Sequence, residues 1–149
     1  MATVSFLWHL HQPAYRTADG RSHAPWAALH AGGSYTTLAR AVEDVGGQGQ
    51  VVNIVPTLLE QLGAYVDGSV IDPVLDSILT PVEDLEPQQR ETLVEWAFHV
   101  NPRQLARYPR LAELKSQGRG SASPGDVAKG FEAHDLRDLQ VLFALAHAG

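Results

Sequence analysis

The sequence predicts an α/β fold with a parallel sheet. Two short apolar runs, Val4–Leu10 and Gln50–Val55, each end close to a proline, and apolar residues at helical spacing follow both of them. Strand, helix, strand, helix in this order implies parallel pairing, because parallel neighbours need a crossover that is usually a helix.

The first run reads Val-Ser-Phe-Leu-Trp-His-Leu, nearly continuously apolar, which suits a strand buried on both faces. Alternation puts Val4, Phe6, Trp8 and Leu10 on one face and Ser5, Leu7, His9 and His11 on the other. Pro13 cannot donate to a ladder and marks the strand's end. Residues 14–33 read as irregular, with Pro25-Trp26 and Leu29-His30 embedded in a loop. Ser34 is the expected N-cap of a helix carrying Tyr35, Leu38 and Val42, which Gly46-Gly47 stops. After the second strand and Pro56, Thr57 and Glu60 make an expected capping box for a helix with Leu58, Leu59, Leu62 and Tyr65.

Beyond Gly68 the pattern is helical. Asp72-Pro73 and Glu86-Pro87 each open a helix, the second with Leu93, Val94, Trp96 and Ala97 as its buried stripe. Another runs near Leu111–Lys115 to Gly118, and Gly118–Gly125 reads as a Gly/Ser linker or surface loop. The last spans about His134–Ala146, with Leu136, Leu139, Phe143 and Ala146 on one side. There is no internal repeat. Two parallel strands make a poor sheet alone, since both edges stay open. Residues 1–67 therefore read as the opening βαβα part of a larger sheet, and 68–149 as a mainly helical insertion or excursion. A complete α/β barrel usually takes about 250 residues, so the fold is expected to be incomplete within 1–149.

The chain has 149 residues, 44% hydrophobic and 19% charged, with a net charge of -6 and no basic run. Phosphate backbones need clustered Lys and Arg, which argues against nucleic acid and against a polybasic membrane anchor. Cysteine is absent, which removes disulfides and thiolate metal sites and fits a reducing, cytoplasmic setting. The opening residues lack the basic start of a signal peptide, and no stretch reaches the roughly 18 uninterrupted apolar residues of a membrane helix.

His9-Leu10-His11 carries the strongest chemical signal. A spacing of two on a strand aims both imidazoles the same way, and in α/β barrels the C-terminal strand ends hold the active site. Such imidazoles bind a metal, move a proton or hydrogen-bond a polar substrate, or they are satisfied core histidines. Trp26 either offers its flat apolar surface to a ligand or caps the core. Trp8 and Trp96 read as packing residues. Asn53 either faces the pocket or ties down backbone, with the structural role preferred. Asp135 and Asp138 sit in a helical first turn, where carboxylates meet free N–H groups and the helix dipole, and Arg137 with its neighbouring carboxylates reads as a charge network. His99, His134 and His147 show no pairing in sequence.

Phe6-Leu7-Trp8-His9-Leu10-His11-Gln12-Pro13 resembles the first signature region of glycoside hydrolase family 57. Pro25-Trp26, Leu29-His30-Ala31, Tyr35, Asn53-x-Val55-Pro56-x-Leu58-Leu59-x-Gln61-Leu62, Tyr108-Pro109-Arg110 and Asp135-Leu136-Arg137-Asp138-Leu139-Gln140-Val141 follow in the family's order. The style of the opening is most similar to amylase/amylopullulanase-like members. The resemblance implies a (β/α)7 barrel that cleaves or transfers α-glucans with retention, without cofactor or metal. Retention needs two carboxyls about 5–5.5 Å apart; in the family these are a Glu on the fourth strand and an Asp on the seventh, expected beyond residue 149. No catalytic role therefore falls on this chain. What carries over is substrate binding by His11 near the scissile sugar and His9 beside it, with Gln12, Trp26 and His30 from the same motif set. Two other readings stand beside this one: a metal-dependent barrel hydrolase with His9 and His11 as ligands, and a non-catalytic helical interaction module.

Overall fold

A computed structural model describes residues 3–118 and 124–147, which fall into two compact units, one up to Asp72 and one from Pro73 to His147. The protein is α/β: mostly helical, with a small two-stranded parallel sheet. Among the described residues, no helix is long and apolar enough to cross a membrane.

In the first unit, β1 (Phe6–Leu10) pairs in parallel with β2 (Gln50–Ile54), Phe6 opposite Gln50 and Leu10 opposite Ile54. Phe6 N–H donates to Gly49 O at 2.8 Å, and Val55 N–H donates to Leu10 O at 3.2 Å, so backbone bonds close both ends of the ladder. Gly49 has φ +71°, and a Cβ there would press within 3.2 Å of Val4 O; the tight entry into β2 needs a glycine.

The crossover is helical from Trp26 to Asp44: α1 (Trp26–His30), a π-helical turn (Ala31–Tyr35) and α2 (Thr36–Asp44). This corrects two expectations. Trp26 and His30 stand on a helix rather than in a loop, and Ser34 lies inside the π turn rather than capping a helix. Pro25, just before α1, and Ala27 within it are buried, and α1 packs against α3 (Pro56–Asp67), so tertiary burial holds a segment whose Gly and Ala content reads as loop. The α3 helix begins at Pro56 with Val55 at the N-cap. Thr57 is consequently within the first turn, and the Thr57/Glu60 capping box does not form; the Thr57 hydroxyl donates instead to Gln12 O at 3.2 Å. Pro at the first helical position suits the fixed φ of its ring.

The strands are not buried on both faces as their composition predicts. Only Leu10 of β1 is buried, while Phe6, Leu7, Trp8, Val51, Val52 and Ile54 are exposed. Two strands and one crossover do not supply a layer for each face of the sheet. Trp8 is accordingly not a core residue, and its indole N–H donates to Gln50 Oε1 at 2.7 Å.

The second unit contains α4 (Pro73–Leu79), a 3-10 turn (Val82–Asp84), α5 (Pro87–Ala97), α6 (Pro102–Arg107), α7 (Pro109–Gln117), α8 (Pro124–Lys129) and α9 (Ala133–His147). The α5 helix touches α4, α8 and α9, and α7 packs on α9. Leu93, Val94, Leu111, Leu114, Leu136 and Leu139 form the centre of this core. Gln140 is buried and donates to the carbonyls of Ser77 and Thr80 at 2.9 and 2.8 Å, satisfying the end of α4. Trp96 is half-buried rather than core, its ring 4.8 Å from that of His99. The expected loop Gly118–Gly125 lies outside the described residues over 119–123, and Pro124 and Gly125 open α8.

Asp135 and Asp138 are structural, but the hub of their charge network is Arg110 rather than Arg137. Arg110 reaches Asp135 at 2.6 Å, Asp138 at 2.8 Å and Glu113 at 3.0 Å, whereas Arg137 meets Glu83 at 3.7 Å. The isolated histidines of the sequence do find neighbours. His134 lies 3.3 Å from Asp135, and His147 Nδ1 lies 2.9 Å from Phe143 O.

Candidate functional site

The C-terminal end of the β1–β2 pair gathers imidazole, amide and phenol groups from four segments of the first unit. Period-two alternation places His9 and His11 on the same face, and their rings lie 6.0 Å apart at 25°, both residues exposed. Register sets His9 beside Asn53, and Asn53 Nδ2 lies 3.0 Å from His9 Nδ1. Asn53 thus belongs to the polar face, the reading its sequence context favoured less.

Just past β1, the Gln12 amide is held from two sides. Its Nε2 donates to the Tyr35 hydroxyl at 3.0 Å, and its Oε1 accepts from the Tyr15 hydroxyl at 2.8 Å. Burial, with the Tyr35 phenol nearby, pushes the Tyr15 phenol above its ordinary value, which keeps it a donor. An amide has a second N–H and a second lone pair, so Gln12 retains capacity for one further partner on each atom.

Gln61 fixes the chain that carries these groups. It is buried in α3; its Oε1 accepts the Tyr15 N–H at 2.9 Å, and its Nε2 donates to Pro13 O and Thr57 O, both at 3.0 Å. One amide therefore bolts residues 13–15 onto the helix that follows β2. Backbone groups of an irregular segment that leave water need such partners.

His30 joins through Tyr35. Their rings lie 5.7 Å apart, and His30 Nδ1 lies 3.1 Å from Ser34 Oγ across the π turn. A π turn holds one residue more than an α turn, and such turns recur at functional sites. Trp26 is half-buried at the first position of α1, four residues before His30 and so on the same helical face. Tyr15 also meets His23 edge-on at 5.7 Å.

Contacts thus join His9 to His11 and Asn53, and Gln12 through Tyr35 to His30, while Trp26 shares the helix face of His30. Sequence reasoning missed Tyr15 and Gln61 as supports, and counted Tyr35 only as helix and motif. A buried-type Gln within a leucine-rich helix was the available signal for Gln61. Among the described residues, no group of three or more His, Asp and Glu side chains comes together as a cation would require. No protein-family model matches the chain, and neither a curated protein nor a solved structure matches it.

Proposed function

We propose that the chain forms the first β/α units of a retaining glycoside hydrolase or transglycosylase similar to family 57, acting on α-glucans. In this reading the sheet continues into a (β/α)7 barrel, and His9, His11, Gln12, Trp26 and His30 line one wall of the glucan site. The catalytic Glu and Asp come from later strands outside residues 1–149. A cytoplasmic setting belongs to the same proposal, on the absence of cysteine.

One observation carries the reading: the paired, exposed imidazoles of His9 and His11 stand at the C-terminal end of a parallel strand pair, with the Asn53 amide beside His9. A glucosyl unit presents several hydroxyls, and neutral imidazole donates from one nitrogen and accepts at the other. The barrel reading is supported by the exposed apolar residues of both strands, which suit a sheet covered by further layers. The ordered motif set from Phe6 to Val141 supports the family.

In this scheme His11 bonds a sugar hydroxyl, and that bond strengthens as the ring gains oxocarbenium character. The test is kinetic, on the intact enzyme with a maltooligosaccharide substrate. His11→Ala is expected to lower kcat/KM about tenfold or more; an unchanged kcat/KM overturns the role. Residues 1–149 alone are expected to hydrolyse no starch, and measurable release of reducing sugar by them contradicts the division of labour.

A further inference from the structure

The His9–Asn53 contact has a chemical polarity. An amide nitrogen carries hydrogens and accepts nothing, so a ring nitrogen 3.0 Å from Asn53 Nδ2 is bonded only if it presents a lone pair. That nitrogen is His9 Nδ1, and in neutral imidazole the ring proton then resides on Nε2. We infer that Asn53 is a positioning residue that holds His9 as its Nε2–H tautomer, so that His9 offers the site a hydrogen-bond donor and no acceptor.

The backbone register sets the pairing, and the pair faces solvent. The parallel ladder places His9 and Asn53 as direct partners, so backbone bonds set the approach of the two side chains. Both residues are exposed, so the proton on Nε2 is available to a ligand. A group that meets His9 must then carry a lone pair: a hydroxyl, ether or carboxylate oxygen fits, and an ammonium does not. That the oxygen belongs to a glucan rests on the function proposed above; the tautomer does not.

The experiment is long-range 1H–15N NMR of the histidine rings in the labelled chain, at a pH above the usual imidazole range. In the native protein Nε2 of His9 should be protonated and Nδ1 should have the shift of a bare nitrogen. Asn53→Asp replaces the amide by an acceptor and should move the proton to Nδ1, whereas Asn53→Ala should leave a mixture of both tautomers. A native His9 protonated on Nδ1, or one tautomer in all three proteins, overturns the inference. If Asn53→Ala fails to fold, the native spectrum and Asn53→Asp still decide it. Maltooligosaccharide added to the intact enzyme, labelled in the same way, separates the two proposals. A shift of the His9 Nε2–H supports both, and a fixed tautomer that ignores the sugar removes the glucan while leaving the role of Asn53 in place.

Discussion

Gln12 Nε2 donates to the Tyr35 hydroxyl at 3.0 Å, joining the end of β1 to the π turn of the crossover. Tyr15 holds the other side of the same amide at 2.8 Å. The polar end of the strand is therefore fixed by side chains that come from outside the sheet.

Tyr35→Phe keeps the ring near His30 but removes the hydroxyl. A net loss of about 1 kcal/mol is expected, the ordinary worth of a hydrogen bond that water can partly replace. Urea unfolding followed by circular dichroism measures it, and an unchanged midpoint would show that Gln12 does not need Tyr35.

Gln61→Leu should cost more, about 2–3 kcal/mol, because the buried amide serves the Tyr15 N–H and the Pro13 and Thr57 carbonyls together. Leucine preserves most of the volume and leaves those groups without their partner. Increased hydrogen exchange at the Tyr15 amide would accompany the loss. Native protection there would contradict the role of Gln61.

Much of this framework is legible in the sequence, and the illegible part has a common cause. Both strands follow from their apolar runs and proline stops, α3 follows from its leucine spacing, and α4 and α5 follow from prolines at the first helical position. The α1–π segment is not legible, because Gly32 and Gly33 argue for loop and only the packing of α1 on α3 outweighs them. Ser34 and Thr57 look like caps by type and spacing, yet the backbone is already helical before Ser34, and Pro56 starts the helix ahead of Thr57. In the site, the histidine face follows from alternation alone. Gln61 and Tyr15 meet across 46 positions, and no local pattern encodes such a bond.

Tyr65 supplies an alkaline dependence. Burial and its hydrogen bond to the Asp72 carboxylate raise its phenol well above the ordinary range, and Ser22 opposes this weakly. A group whose folded pKa is raised contributes stability that is full below the unfolded value, about 10 for tyrosine, and is lost as pH rises towards the folded one. Denaturation midpoints of the native protein should fall above about pH 10, with a smaller fall in Tyr65→Phe. Parallel pH curves for the two proteins would exclude the linkage.

Arg110 is the hub of three carboxylates, and Asp135, with side-chain exposure of 10%, is the one that water compensates least. Arg110→Met should destabilise the second unit by about 2 kcal/mol, since a mostly buried charge loses its partner. Arg110→Lys should recover only part, because an ammonium lacks the planar fork. Thermal unfolding of the three proteins orders them as native, Lys, Met; equal melting temperatures would contradict the network.

The glucan wall is tested most directly by titrating a maltooligosaccharide into the labelled intact enzyme and following backbone and ring resonances. The expected result is a saturable set of shifts at His9, His11, Gln12 and His30, lost in His11→Ala while the rest of the spectrum is preserved. Shifts confined to the Pro73–His147 unit, or a spectrum unchanged by sugar, would contradict the proposed function.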